Sequence, residues 1–280
     1  MKQMIKAVFF DWAGTMVDFG SRAPVIAMQA VFEAAGVPVT EGEVRAHMGK
    51  AKREHVLGMF QDPAVQSRWM AVKGALPGPQ DADDLMIGLE PAMSEAAAKA
   101  STLIPGALDV FQSLTASGIK VGSSTGYTPT MMTEVASRAR AQGYDPATIL
   151  CAGDTVEGRP APFMLWQAMI NLGVWPARAC VAIDDAPVGI QAGREAGMWT
   201  VGLAGSGNAL GLDQDSYFAL SDSERRKRLE DAAKSFVAAG ADVVIATVAD
   251  LPAALSTIAD ARAQGLVPGS NIVLDASITG

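Results

Sequence analysis

Between residues 104 and 203 the chain alternates between helical segments and short apolar strands, and this alternation limits the possible folds more than any other feature. The pattern predicts helices over residues 107–117, 129–142, 162–172 and 188–196, and strands over residues 119–123, 149–150, 179–183 and 199–203. Strands that alternate with helices of this length pair in parallel, because each helix carries the chain back across the sheet. The sequence therefore predicts an α/β fold with a parallel sheet.

A long helical stretch interrupts this pattern after the first apolar strand, which ends at Phe10. Helices are predicted over residues 23–35, 41–60, 64–75 and 81–99, with Gly/Pro breaks at residues 36–38 and 77–79. Near the end of the chain, residues 220–240 indicate a solvated helix and residues 242–247 a last strand. We expect a core domain of residues 1–20 and 101–265, a helical cap domain of residues 21–100, and a tail of residues 266–280 without an assigned structure.

Composition excludes several classes of partner. The chain has 280 residues, 49% of them hydrophobic, and a net charge of −8. Nucleic acid and anionic membranes attract basic surfaces, so neither is an expected partner. There is no apolar run of the roughly 20 residues that span a bilayer. The two cysteines, Cys151 and Cys180, do not form a closely spaced pair. We expect a cytoplasmic protein whose substrate is a small molecule.

Asp11 follows the apolar run of residues 7–10, at the end of the first predicted strand. Ligands of open α/β sheets bind at the carboxyl ends of the strands, and Gly14 allows a tight turn around a bound anion. Asp11 is therefore a candidate nucleophile. Taken alone, the motif is also compatible with an aspartate that only caps the loop.

Three further strand ends carry polar residues. The loop of residues 122–127 offers hydroxyl and backbone N–H groups that can hold a phosphoryl oxygen, although such loops are common. Arg159 precedes a helix and can bind a tetrahedral anion through two N–H groups, or form a surface ion pair. Asp184 and Asp185 end another apolar strand, where two buried carboxylates require compensation. Together with Asp11 they provide the oxygen ligands of a Mg²⁺ site.

These motifs, in this order, resemble those of the haloacid dehalogenase superfamily, whose phosphatases usually carry a second aspartate two residues after the nucleophile. This chain has Ala13 at that position. In the superfamily the second aspartate protonates a departing alkoxide, which alanine cannot do. Either the site is inactive, or the leaving group is not an ester oxygen.

The predicted helix over residues 41–60 supplies an amine. Met48, Lys52 and His55 stand at positions i, i+4 and i+7 and are predicted to share one face, from which Lys50 is turned away. A phosphate ligand or a solvated basic helix are the simpler explanations of this lysine. If the leaving group is carbon, however, a lysine imine can accept the electrons released from the bond to phosphorus. Such a lysine must be neutral, so we expect its pKa to be lowered by Lys50 and Arg53 or by burial.

With this amine, the chain resembles the phosphonoacetaldehyde hydrolases (phosphonatases), a branch of the superfamily, over about residues 4–262. The motifs that carry the resemblance lie at residues 10–15, at Met48, Gly49, Lys52 and His55, and at residues 124–128, 158–160 and 196–202. The resemblance implies a Rossmann-like core with an inserted helical cap. It also implies a Mg²⁺-dependent homodimer that hydrolyses phosphonoacetaldehyde to acetaldehyde and phosphate in the breakdown of 2-aminoethylphosphonate.

The resemblance also implies roles for individual residues. Lys52 would form the imine and Asp11 would accept the phosphoryl group. Mg²⁺ would be bound by Asp11, the carbonyl of Ala13 and Asp185. The other implied roles are phosphoryl binding by Thr125, Gly126, Gly49 and Arg159, and lining of the imine site by Met48, His55 and Tyr127.

One departure from the family concerns the metal site. Some relatives have an aspartate four residues after the metal-binding one, where this chain has Gly189. We expect Asp184 to replace that outer carboxylate, with Asp185 as the direct ligand.

Three alternatives to C–P hydrolysis stay open. The first is a phosphatase or mutase of the same superfamily that acts on a phosphate ester, which Ala13 disfavours. The second is a metal-independent dehalogenase, which has no use for Asp184 and Asp185. The third is a phosphate-binding protein without catalytic activity.

Overall fold

A computed structural model describes residues 5–48, 52–270 and 273–274 of the chain. The chain divides into two compact units. The sheet unit comprises Met1–Ser21 and Ser101–Gly280, and the helical unit comprises Arg22–Ala100. Ser21 and the described residues after 265, namely 266–270 and 273–274, thus belong to the sheet unit.

The sheet unit contains a parallel sheet with the strand order β3-β2-β1-β4-β5-β6-β7. Its strands are β1 (Ala7–Phe10), β2 (Lys120–Ser124), β3 (Ile149–Leu150), β4 (Cys180–Asp184), β5 (Trp199–Leu203), β6 (Val243–Ile245) and β7 (Val273–Leu274). The order reverses direction at β1, which pairs with β2 on one side and β4 on the other. Such a reversal is where open α/β sheets bind their ligands.

Helices lie between these strands. Those that the alternating pattern predicts are α6 (Ala107–Ala116), α7 (Pro129–Ala141), α8 (Phe163–Leu172) and α9 (Pro187–Glu195). They are followed by α10 (Gln214–Phe218), α11 (Asp222–Ala239) and α12 (Leu251–Ala263), of which α11 corresponds to the separate prediction over residues 220–240. The strands β1, β4 and β5 are buried at every position, because helices cover both faces of a parallel sheet. Phe9, Met164 and Met198 belong to one core cluster, and Tyr217 and Phe236 to another.

The helical unit contains α1 (Ala23–Ala34), α2 (Glu41–Arg45), α3 (Lys52–Met59), α4 (Pro63–Lys73) and α5 (Pro79–Lys99). Local sequence explains where α2 begins. The side chain of Thr40 accepts a hydrogen bond from the N–H of Glu43, whose carboxylate accepts one from the N–H of Thr40. Phe32, Phe60 and Trp69 form the aromatic core of this unit.

The prediction of one continuous helix over residues 41–60 is wrong. The structure has α2 and α3 instead, and the N–H groups of His47 and Met48 bond to the carbonyls of Val44 and Arg45, three residues back. Tight i→i+3 bonds of this kind end a helix, and Gly49 follows with a low helix propensity. Met48 lies in this turn, so its predicted place on the same helix face as Lys52 and His55 is also wrong.

Three elements of the sheet unit had no sequence prediction: α10, α12 and β7. Among the described residues, no helix has the length and apolar character needed to cross a membrane.

Candidate active site

Asp11 lies directly after β1 and is 6% exposed. Its N–H group donates to the carbonyl of Ile183 at 2.9 Å, which joins it to the neighbouring strand β4. The adjacent Trp12 is fully buried and donates from Nε1 to the hydroxyl of Ser123 on β2 at 2.8 Å. Asp11 is thus held between the two strands that flank β1.

The turn after Asp11 brings the chain back against β4. Gly14 has φ +76°, and a Cβ at this position would lie 2.3 Å from a carboxylate oxygen of Asp185. Ser206 donates from its hydroxyl to the carbonyl of Gly14 at 2.7 Å. Residue 14 must therefore be glycine, both for its backbone conformation and for the close approach of Asp185.

Asp11, Asp184 and Asp185 form an acidic cluster. One carboxylate oxygen from each lies within 4.8 Å of the others, and all three residues are buried. Burial raises the pKa of all three carboxyl groups, that of Asp184 to about 7, and their mutual repulsion adds to the effect at Asp184 and Asp185. A set of three crowded oxygen ligands that resist ionisation fits a divalent cation, which would stabilise their charged forms.

Arg159 is the positive group of the site. Its guanidinium contacts Asp11 at 2.8 Å and Asp184 at 3.0 Å, and it also donates to the carbonyl of Ser124 at 2.6 Å. Burial alone would lower the pKa of Arg159, but Asp184 and Asp11 raise it. The arginine therefore keeps its charge next to the carboxylate oxygens of Asp11 and Asp184.

Asp184 occupies the space next to Gly189, the third residue of α9. A Cβ on Gly189 would lie 1.8 Å from Oδ2 of Asp184 and 2.0 Å from its Cγ. The carboxylate of Asp184 is oriented by the N–H of Ala186 at 3.0 Å and by Arg159. An aspartate at position 184 and a side chain at position 189 thus exclude one another sterically.

The loop after β2 contains Thr125, Gly126 and Tyr127. The N–H of Thr125 donates to Leu150 at 2.9 Å, and its hydroxyl accepts from the N–H of Tyr127 at 3.1 Å, while Gly126 is exposed. The hydroxyl of Tyr127 is buried and has no hydrogen-bond partner in the described part of the chain. Burial raises the pKa of Tyr127 well above its usual value, and Asp18, Asp11 and Asp185 add to this effect.

The sequence did not identify the loop after β5 as a contributor to this site. In this loop the N–H of Asn208 donates to Asp185 at 3.0 Å, and Ser206 holds the turn at Gly14. Its Gly-Ser-Gly-Asn run at residues 205–208, just after a predicted strand, was a usable signal. Thr15, which belongs to the predicted motif of residues 10–15, has a buried hydroxyl without a hydrogen-bond partner among the described residues.

The remaining predicted residues belong to the helical unit. Lys52 is the first residue of α3 and is partly buried, and burial lowers its pKa. Arg53 forms a two-pronged ion pair with Asp83, at 2.6 and 3.2 Å. His55 is buried, with Nε2 at 2.8 Å from the carbonyl of Val44. Gly49 and Lys50 lie outside the described residues.

The comparisons with known proteins agree with this architecture. The family model for haloacid dehalogenase-like hydrolases matches residues 5–197. The phosphonoacetaldehyde hydrolase of Paraburkholderia phytofirmans is 42% identical over 94% of this chain and 99% of its own length. The protein of the same name from Hahella chejuensis is 40% identical over 98% of this chain and 94% of its own length. A crystal structure of a phosphonoacetaldehyde hydrolase-like protein from Oleispira antarctica, 40% identical, covers 94% of this chain and 96% of its own, with a TM-score of 0.86.

Proposed function

Because the chain belongs to the haloacid dehalogenase-like hydrolases and matches their phosphonoacetaldehyde hydrolase branch over nearly its full length, we propose that it hydrolyses phosphonoacetaldehyde to acetaldehyde and phosphate. The observation that carries this proposal within the site is Ala13. A buried carboxylate, Asp11, stands ready for a phosphoryl group, but the residue two positions later has no proton to donate. Such a site suits a leaving group that departs as carbon.

In the proposed reaction Asp11 attacks phosphorus and becomes an aspartyl phosphate, which water then hydrolyses. Arg159 supplies positive charge beside Asp11 and, together with the hydroxyl of Thr125 and the N–H of Gly126, is proposed to bind the phosphoryl oxygens. Gly49 is a further proposed contact to this group. Since Arg159 already donates to Asp11, it also orients the nucleophile before substrate arrives.

We propose Mg²⁺ as the cofactor, with Asp11, the carbonyl of Ala13 and Asp185 as its protein ligands. When bound, the ion neutralises the crowded carboxylates and the charge of the phosphoryl group. Asp184 is proposed as an outer carboxylate, since Arg159 and the N–H of Ala186 already hold it. Asn208 orients Asp185 through a backbone hydrogen bond.

The carbon side of the reaction is assigned to Lys52. Its neutral amine attacks the aldehyde, water leaves, and a protonated imine forms. When the C–P bond breaks, its electron pair moves into the imine and yields an enamine, which is protonated on carbon and hydrolysed to acetaldehyde. Burial lowers the pKa of Lys52 and so favours the neutral amine that the first step requires. Met48, His55 and Tyr127 are proposed to line this imine site.

A homodimer and a cytoplasmic location complete the proposal. The dimer is supported by the resemblance to the phosphonatases and the location by two cysteines that are both buried and free. Light scattering on a sizing column would test the dimer, and a monomeric mass would contradict it.

The test is the release of products from phosphonoacetaldehyde, followed for acetaldehyde and phosphate together. We expect equal amounts of both with Mg²⁺, loss of both with EDTA, and no phosphate from a phosphate monoester. Asp11→Asn and Lys52→Arg should each abolish release. Cleavage of the monoester alone, independent of Lys52, would identify the chain as a phosphatase instead.

A further inference from the structure

We propose that the sheet unit has a second ligand site, at the sheet edge opposite Asp11, for a small anion that carries a planar ring, in the chemical class of nucleoside diphosphates. A cavity of about 590 Å³ lies there. It is bordered by residues next to the amino ends of β1, β2 and β4, including Lys6, Lys120 and Ala179. Because parallel strands place all their amino ends at one edge, this cavity is separate from the candidate active site at the carboxyl edge.

The cavity is lined by four basic residues: Lys6, Lys120, Arg178 and Arg262. Its lining residues include no carboxylate, and none of the four forms an ion pair within the described ranges. In a chain with a net charge of −8, a group of uncompensated positive charges at one cavity is not expected from composition. Such a group attracts a multivalent anion.

The two lysines are held in place by backbone carbonyls. Lys6 donates to the carbonyl of Trp175 at 2.6 Å, and Lys120 donates to the carbonyl of Leu172 at 2.5 Å. An ammonium group has three N–H donors, so each lysine keeps two for a ligand. Because the side chains are already ordered, a ligand would bind them with a smaller loss of side-chain entropy.

Arg262 provides the second line of evidence. Its Nη1 atom is buried without a hydrogen-bond partner among the described residues. A charged donor that is left unsatisfied in this way is costly, unless a ligand supplies the acceptor. Burial, together with the nearby Arg178, lowers the pKa of Arg262, and an anion between the two guanidinium groups would relieve both effects.

The rest of the cavity is apolar and includes an aromatic ring. Trp175 is 75% exposed, an unusual position for so large an apolar side chain, and Ile5, Val174 and Pro176 also line the cavity. An exposed tryptophan beside basic groups is suited to stacking on a planar ring whose phosphates meet the cations. The volume lies within the range of ordinary small-molecule sites.

Calorimetric titration with ADP, in EDTA and without Mg²⁺, tests the site on the whole protein. We expect saturable binding that weakens by about tenfold or more in Arg178→Glu, which corresponds to the loss of about one charge contact. Trp175→Ala should weaken ADP binding but not the binding of pyrophosphate. The matched control is Arg228→Glu on α11, an exposed arginine outside the cavity, which should bind ADP as the wild type does.

Arg159→Ala separates this site from the active site. ADP binding that survives this substitution but is lost in Arg178→Glu supports the proposal. Binding that is lost in Arg159→Ala and kept in Arg178→Glu would overturn it, as would the absence of ADP binding. Equal affinity for pyrophosphate and ADP, with no effect of Trp175→Ala, would refute the part played by the ring.

Discussion

The substitution Gly189→Ala tests the steric relation between positions 184 and 189. In a helix, alanine in place of glycine normally stabilises by about 0.5–1 kcal/mol. Here the new Cβ would lie 1.8 Å from Oδ2 of Asp184, so the carboxylate would have to move. The carboxylate would have to leave Arg159, with which it shares a contact of 3.0 Å between side chains that are 12% and 6% exposed.

The expected magnitude follows from these contacts. Overpacking of a tight interior costs about 1–3 kcal/mol, and breaking a buried ion pair costs about 3–5 kcal/mol when one partner is left uncompensated. Arg159 keeps Asp11 and Ser124 as partners, which reduces the second figure. After subtraction of the gain in helix propensity, we expect Gly189→Ala to lower the free energy of unfolding by about 2–3 kcal/mol.

A double-mutant cycle tests whether Asp184 causes this destabilisation, because the effect of Gly189→Ala on stability should change sign when Asp184 is removed. In an Asp184→Gly background the obstacle is absent, so Gly189→Ala should stabilise by about 0.5 kcal/mol. The measurement is urea unfolding of all four variants in EDTA. Gly88→Ala on α5 is the control, because its Cβ would meet only Val31 at 3.5 Å, an ordinary contact. Destabilisation by Gly189→Ala of equal size in both backgrounds would refute the steric argument.

Four further predictions concern the proposed chemistry. Lys52→Arg should lower kcat by about 10⁴-fold or more although the charge is kept, because a guanidinium cannot form the imine; substantial residual turnover would refute this role. Burial lowers the pKa of Lys52, so the amine should become neutral at a lower pH than free lysine. The amount of imine trapped by borohydride should therefore rise with pH, and the midpoint of this rise should lie below the pKa of about 10.4 for free lysine. Mg²⁺ should raise the melting temperature of the wild type but not that of Asp185→Asn, and an equal shift in both would contradict the assigned ligand. Ala13→Asp should decrease C–P hydrolysis and introduce slow hydrolysis of a phosphate monoester; unchanged activity on both substrates would show that position 13 does not select the leaving group.

The sheet unit was largely predictable because its strands are short apolar runs between strong turn signals. The run before Asp11 and the run before Asp184 both appear as strands; β1 ends directly before Asp11 and β4 ends at Asp184. Parallel pairing then brings the polar ends of these strands to one edge, as the alternation of elements requires.

Where tertiary contacts decide the structure, the sequence was less informative. The break between α2 and α3 depends on two i→i+3 bonds near His47, which the apolar pattern of residues 41–60 does not report. The strand β7 is a two-residue segment in a Gly/Pro/Ser-rich tail, too short for any periodicity. The sequence also does not reveal that the carboxylate of Asp184 leaves no room for a side chain at position 189, because this depends on how closely α9 approaches the end of β4.

The pKa of Lys52 is another property that depends on tertiary contacts. Either the neighbouring cations or burial was expected to lower the pKa of Lys52, and in the structure burial lowers it. Arg53 is instead bound to Asp83, thirty positions away in the sequence, and its charge is compensated there. A partner at that separation follows from the packing of α3 against α5 and not from the local pattern.

The most direct test of the proposed function is to treat the protein with borohydride during turnover of phosphonoacetaldehyde and to map the modified peptide by mass spectrometry. The account predicts an ethyl group on Lys52, since the enamine left after C–P cleavage is protonated to an imine that borohydride reduces. Asp11→Asn should instead retain the phosphonoethyl group on Lys52, because the bond to phosphorus is not broken. Continued release of acetaldehyde and phosphate with no modification of Lys52 would contradict the imine mechanism.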